Sequence, residues 1–391
     1  MHPHPCEPAG IYIHIPFCKK KCRYCDFYSI TSLSQAPSFV RALVQEMDMV
    51  CKAPLLFDTL YLGGGTPSLL KAEVIDFIIE TARNRFKLLK DAEITVEVNP
   101  GTVTFDQLKT YHRAGVNRIN IGVQSFDQSN LDFLGRIHTA DDAIYILNAS
   151  RKAGFENIGL DLIYGIPRQT VTSWLVDLVK AVEFAPEHLA CYMLTYEPNT
   201  PLSIARGKGE FNLLSEKIVV DLFETTHTFL TKNGYEQYEI SNFSKKAIES
   251  AGLRRSRHNQ KYWSAIPYLG LGPSAHSFFS SKRQWNHRSV RRYINNLNSG
   301  VLPIMGQEVL TRSQLMIEAF YLGLRRKNGI VFESFNQVFG VDFEQVFGEV
   351  IPDLEEKELI EADQHHLALS QKGLLFLDSI TEMFITHPGI N

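Results

Sequence analysis

Up to residue 194, short β-branched or apolar runs alternate with longer stretches whose apolar residues recur every three or four positions. The first pattern is that of strands and the second that of amphipathic helices. It predicts a first strand in Ile11–Phe17, then strands at Phe57–Leu62, Glu93–Val98, Asn117–Val123, Ile158–Ile163 and Leu189–Leu194. Between them it predicts a helix over Phe39–Val50 and one carrying Leu69, Leu70, Val74, Phe77, Ile78 and Ala82 on one side. A third starts at Thr104, where Gln107 completes a capping box, and stops at Gly115. Two more run from Thr139 to Gly154 and from Val171 to Phe184. Strands joined through helices argue for parallel pairing. Six such units suit an open sheet or an incomplete barrel. The chemically unusual residues sit at the C-terminal ends of successive strands, as on the rim of a barrel, whereas an open sheet gathers them at one crevice. The expected class is therefore α/β, a partial (β/α)6 barrel related to the eightfold one.

Past residue 200 the alternation fails. Leu214–Asn233 reads as one amphipathic helix, and Tyr235–Ile240 as a strand extending the sheet. Arg254–Trp263 is polar, and a glycine-rich turn, Leu269–His276, follows. Helical spacing returns at Ser313–Leu324, Phe332–Phe339 and Phe343–Glu358, before two short strands around Leu359 and His366–Leu369 and a helix from Gln371. Helices followed by a small hairpin suggest a winged-helix-like module. The expected organisation is a barrel over 1–245, a connecting segment over 246–310 and a mostly helical C-terminal domain over 311–391.

Composition narrows the class. The 391 residues carry a formal net charge of −3, so no overall basic field points to nucleic acid or an anionic surface. The N-terminal Met-His-Pro-His-Pro-Cys lacks the apolar core of a signal peptide, and no run of about 18 apolar residues suggests a membrane span. Six cysteines in so long a chain do not make a disulfide framework, which implies a reducing, cytoplasmic setting.

Three of those cysteines, Cys18, Cys22 and Cys25, stand at C-x₃-C-x₂-C spacing just past the first strand. A loop this tight can aim three thiolates at one small object. Three sulfurs on a four-iron cluster leave one iron open to a further ligand. A zinc site is the main alternative, but it usually needs a second ligand pair, and Cys6, Cys51 and Cys191 are isolated. Unrelated surface cysteines are the remaining reading. Lys19, Lys20, Lys21 and Arg23 would favour thiolates and offset an anionic cluster, or simply form a solvated basic turn.

After the second strand, Gly63-Gly64-Gly65-Thr66-Pro67 lets a ligand approach bare backbone, and no Gly-Lys-Ser/Thr follows to make it a phosphate loop. Beside the thiol loop such an edge suits the amino group of an amino-acid-like ligand. Glu97, at the end of the third strand, can accept from ribose hydroxyls or stand as a solvated strand end. Asp161 interrupts an apolar strand and needs a partner if buried, for which Arg136 is the candidate. Gln124 follows the fourth strand.

Together the cysteine motif and the Gly63–Pro67 turn resemble the radical S-adenosylmethionine (SAM) superfamily. Tyr12-Ile-His14-Ile-Pro-Phe-Cys18, Glu97-Val-Asn-Pro, Gly122-Val-Gln124-Ser-Phe and Asp161-Leu-Ile-Tyr-Gly-Ile-Pro167 resemble the oxygen-independent coproporphyrinogen III oxidase group within it. The resemblance implies a radical SAM barrel with a [4Fe-4S] cluster on Cys18, Cys22 and Cys25. It implies SAM contacts from Tyr12, Tyr24, Gly64, Gly65, Thr66, Glu97, Gln124, Arg136 and Asp161, and cleavage of SAM to methionine and a 5′-deoxyadenosyl radical.

Three departures separate the chain from the oxidase. Asp26-Phe27 stands where the oxidase continues with Gly-Cys. The segment before the first strand is short. His258-Asn259-Gln-Lys-Tyr262-Trp263 is similar to the H-N-x-x-Y-W motif of HemW-type haem chaperones, which bind haem and pass it to respiratory haem proteins. That branch implies haem and haem-accepting proteins as partners. Homodimerisation and a peripheral membrane contact stay open beside it. The oxidase reading, decarboxylation of coproporphyrinogen III by the SAM-derived radical, is the alternative. An imidazole at His258 can ligate haem iron, Tyr262 and Trp263 can cover a porphyrin face, and Arg254, Arg255 and Arg257 can pair with propionates. Equally, His258 can be an ordinary exposed histidine. His276 is a second candidate ligand or a structural residue of its turn. The C-terminal helices carry Glu344, Glu349, Asp353, Glu355, Glu356 and Glu358, the wrong sign for DNA phosphate, which favours a lid or a docking face over nucleic-acid binding.

Overall fold

The computed structural model describes residues 7–51, 55–246 and 254–390; Cys6 and the rest of the N-terminal six lie outside them. Six strands, β1 (Ala9–Ile15), β2 (Leu56–Gly64), β3 (Lys87–Val98), β4 (Arg118–Gln124), β5 (Ile158–Tyr164) and β6 (His188–Met193), pair in parallel in chain order. Helices α1 (Ala36–Val50), α2 (Ala72–Arg85), α3 (Phe105–Arg113), α4 (Gln128–Leu134), α5 (Ala140–Lys152) and α6 (Val171–Glu183) fill the connections. The capping box of Thr104 and Gln107 forms as the sequence predicts. Helix α4 was not foreseen, because seven residues give too few turns to show a period.

Alternation along the strands divides the sheet into two faces. Ile11, Ile13 and Ile15 of β1, Leu60 and Leu62 of β2, and Ile94, Val96 and Val98 of β3 join helix residues such as Phe39, Ile75 and Ile78 in one buried cluster. Burying each such side chain contributes about 1.5–3 kcal/mol. The opposite face is polar and aromatic. In register across it, Gly10 lies beside Thr59 and Thr59 beside Glu93; one step up the barrel come Tyr12, Tyr61, Thr95 and Arg118. This face lines the barrel.

After α7 (Pro201–Gly207) and α8 (Glu216–Lys232), the hairpin of β7 (Tyr235–Glu239) and β8 (Asn242–Lys245) extends the sheet antiparallel to β6. Residues 246–310, expected only to connect two domains, instead supply four strands to the same sheet. After helix α9 (Arg257–Trp263), strand β9 (Tyr268–Leu271) pairs with β1 in parallel. A meander of β10 (His276–Phe279), β11 (Lys282–Asn286) and β12 (Ile304–Val309) carries the sheet outward, with α10 (Val290–Asn298) packed behind. The sheet thus has twelve strands, in the order β12-β11-β10-β9-β1-β2-β3-β4-β5-β6-β8-β7.

The C-terminal module has its own phenylalanine-rich core around Phe320, Phe335, Phe343, Phe347 and Phe384. It runs α11 (Arg312–Gly323), β13 (Ile330–Val331), α12 (Phe332–Phe339), α13 (Phe343–Phe347), α14 (Ile351–Glu356), β14 (Ile360–Ala362), β15 (His366–Leu369) and α15 (Leu377–Ile385). The one helix expected over 343–358 is two, parted at Gly348–Val350, and Pro352 sits in the first turn of the second, where a missing N–H costs nothing. A three-stranded sheet, β13-β15-β14, with one strand between the first two helices, has the winged-helix layout. Among the described residues no helix is long and apolar enough to cross a membrane.

Candidate functional site

Two hydrogen bonds draw the glycine turn against the chain entering the cysteine loop. Gly65 N–H donates to Ile15 O (2.9 Å) and Thr66 N–H to Phe17 O (2.7 Å). A Cβ at Gly65 would lie 2.6 Å from Phe17 O, and one at Gly64, whose φ is +105°, would meet the His14 ring at 2.5 Å. Glycine is required there by close approach. The loop itself is tied to α4 and α7: Arg23 N–H donates to Leu134 O and Leu202 N–H to Arg23 O. Cys25 N–H donates to Cys22 O (3.3 Å), a turn that brings these two residues together.

Cys18, Cys22 and Cys25 are free and partly exposed at the C-terminal rim of the barrel. Burial, then the neighbouring Cys22 and Cys18, pushes the Cys25 thiol up to about 11. Thr66 Oγ1 donates to Cys18 Sγ (3.5 Å), and Arg136 Nη1 lies 3.5 Å from Cys22 Sγ and 3.4 Å from the Tyr24 hydroxyl. Arg136 Nη2 donates to Asn99 Oδ1 (2.5 Å) and Gly122 O (2.7 Å), while its Nε is buried without a partner. Among the described residues no carboxylate forms an ion pair with this guanidinium. A half-buried cation aimed at thiols and unpaired with an acid fits an anionic iron–sulfur cluster. The lysines expected to play this part, Lys19, Lys20 and Lys21, are exposed; Lys19 donates to Gly101 O (3.2 Å), and Lys21 pulls the Cys25 thiol down against its burial. No three His, Cys, Asp or Glu side chains among the described residues are grouped for a single metal ion.

Below the rim, the remaining predicted SAM contacts line the lumen. Glu97 accepts from the Tyr61 hydroxyl (2.7 Å) and from Gly64 N–H (3.1 Å), and burial raises its pKa to about 7. It is a half-buried strand end whose two oxygens each accept one hydrogen bond and keep lone pairs for further donors. Asp161 takes its hydrogen bond from Asn120 Nδ2 (2.7 Å), not from Arg136; burial raises its pKa to about 6 against the pull of Asn120 and of Arg118 and Arg136. Gln124 sits at a register shift ending β4 with φ +68°, a strained position that only a few residue types adopt. Tyr12 shares its hydroxyl with His14 Nδ1 (3.0 Å). Tyr61, Asn99, Arg118 and Asn120 complete this network and were not singled out. Their signal was period two, which puts Tyr61 on the face of Tyr12.

His258 is placed elsewhere. Helix α9 closes the N-terminal end of the barrel. Glu93 accepts the backbone N–H groups of Arg257 and His258, both at 3.1 Å, and Asp58 accepts from Arg257 (3.0 Å) and forms an ion pair with Lys261 (2.6 Å). His258 is 1% exposed, with Nδ1 2.8 Å from Thr59 Oγ1 and Nε2 2.9 Å from the Tyr262 hydroxyl. Its ring stacks at 5.1 Å on Tyr61, and burial lowers its pKa to about 3. The exposed histidine read from the sequence is not what stands here: His258 is buried, and in this structure both ring nitrogens bond to protein hydroxyls. Arg255 and Arg257 are spent likewise, on Glu236 and Asp58.

Residues 12–179 match the radical SAM superfamily and residues 310–376 the HemN C-terminal domain. The chain is similar to the heme chaperone HemW of Lactococcus lactis, at 33% identity over 97% of this chain and 98% of the relative. It is similar to the heme chaperone HemW of Escherichia coli at 40% identity, over 69% of this chain and 70% of the relative. In three dimensions it resembles the radical SAM coproporphyrinogen III oxidase (HemN) of Escherichia coli, with a TM-score of 0.83, 25% identity, and coverage of 97% of this chain and 90% of that chain.

Proposed function

The chain belongs to the radical SAM family of the heme chaperone HemW, and on that premise we propose that it binds haem and passes it to haem-dependent proteins of the cytoplasm and respiratory chain. The rim carries this reading: three thiols on one loop, with Arg136 unpaired behind them and Asp26-Phe27 where the oxidase has a fourth cysteine. Cys18, Cys22 and Cys25 would hold the [4Fe-4S] cluster, and Arg136 and Thr66, which contact Cys22 and Cys18, would offset its charge. When bound, the cluster supplies an open iron and one-electron chemistry toward SAM. Gly64 and Gly65 would form the edge beside it, and Glu97, Gln124 and Asp161, on the lumen side, would supply polar contacts to SAM. The acidic C-terminal helices suit a docking face for a haem acceptor.

The test is anaerobic reconstitution followed by incubation with SAM, a reductant and coproporphyrinogen III, and in parallel with haem and an apo-haem protein. Haem transfer without protoporphyrinogen is the expected result. Catalytic formation of protoporphyrinogen would replace the chaperone reading by the oxidase.

A further inference from the structure

The inner face of the sheet does not stop at β1. Gly10–Ile13 pair with Tyr268–Leu271, Phe278 lies beside Tyr268, and His276 lies beside Trp285, so the lumen-facing row continues onto the meander. Beneath the cysteine loop this extension forms an open pocket of about 330 Å³. Tyr12, Tyr262 and Tyr268 wall it, Phe27 of the cysteine loop stands over it 67% exposed, and Arg288 lies at its mouth.

Two histidines line this pocket, His14 and His276, and they differ in one respect. His14 is buried, with Nδ1 on the Tyr12 hydroxyl and Nε2 on Tyr28 O (2.8 Å). His276 is exposed, its side chain makes no hydrogen bond among the described residues, and its ring stacks on Trp285, with ring centroids 5.9 Å apart. Burial and the nearby Arg283 lower its pKa, keeping the imidazole in the neutral, ligating form.

We propose that haem docks in this pocket with His276, rather than His258, as its axial iron ligand. The inference rests on the haem-binding reading above and names its site. Aromatic walls suit a porphyrin face. Arg288, 51% exposed and only partly engaged by Asp26, presents N–H groups to a propionate. A pocket of this size covers part of the macrocycle and leaves the rest open, as cargo to be handed on requires. Its roof, Phe27, follows Cys25 by two residues, so the haem lies against the loop that carries the cluster.

The experiment is anaerobic titration of the full-length chain with hemin, read by the Soret band and by the spin state in electron paramagnetic resonance. His276→Ala should bind at least tenfold more weakly and lose the histidine-ligated signature, and added imidazole should restore it. His276→Cys should shift the spectrum to a thiolate type. His258→Phe, which keeps the helix packed, should bind like the unaltered chain. If His276→Ala keeps both affinity and signature, or a folded His258→Phe loses them, the site is wrong while the chaperone reading stands. If the unaltered chain binds no haem, that reading falls and the site with it.

Discussion

The two ends of the barrel use the same residue types to opposite purpose. At the N-terminal end Glu93, Asp58, Thr59, Arg257, His258, Lys261 and Tyr262 bond to one another. At the C-terminal rim the three thiols form no disulfide and, among the described residues, Arg136 has no acid partner and the His276 side chain on the adjoining meander makes no hydrogen bond. A buried polar group that is fully bonded specifies structure; one left open at an accessible place is available to a ligand.

The sharpest test of this contrast empties the rim. Replacing Cys18, Cys22 and Cys25 together with alanine should reduce cluster iron after reconstitution to background, measured by iron assay, while hemin affinity stays within about threefold. A loss of both would merge the two sites into one. At the other end, His258→Ala leaves Thr59 and Tyr262 without their shared partner and opens a cavity, which costs about 3 kcal/mol in denaturant unfolding. Little or no cost would break the comparison.

The pH dependence sharpens it further. The folded pKa of His258 is about 3, lowered by burial, whereas the unfolded ring titrates near 6.5. Below pH 6.5 the unfolded chain takes up a proton that the folded chain refuses, so the unaltered protein loses stability as pH falls. His258→Phe lacks that loss. The stability gap between the unaltered chain and His258→Phe should therefore narrow by about 2 kcal/mol between pH 7 and pH 5. A constant gap would mean that the ring is protonated in the fold. The smallest effect is expected for Glu93→Gln, which weakens the anion at the start of α9, at about 1–2 kcal/mol in the same unfolding assay.

Much of the barrel was legible because strand and helix periods are local. The six strands, the Thr104 cap and the cysteine loop all follow from neighbours in sequence. The pairing of β1 with β9 was not, because nothing near Ile11 signals a partner at Leu269. Helix α9 read as a polar stretch for the same reason. Its charges are matched by Asp58 and Glu93, and its His258 by Thr59, all from strands far earlier in the chain. The role of Arg136 was misjudged toward Asp161 because one-dimensional spacing does not show that Asn120 stands closer.

The place of β1 between β2 and β9 carries a consequence for biogenesis. Its second edge stays unpaired until residues near Leu271 have left the ribosome, since parallel partners so distant in sequence cannot zip together early. The loop bearing the three thiols hangs from this strand, so its framework is complete only after β9 has been made. A nascent chain arrested before β9 should leave those thiols on an unfinished sheet.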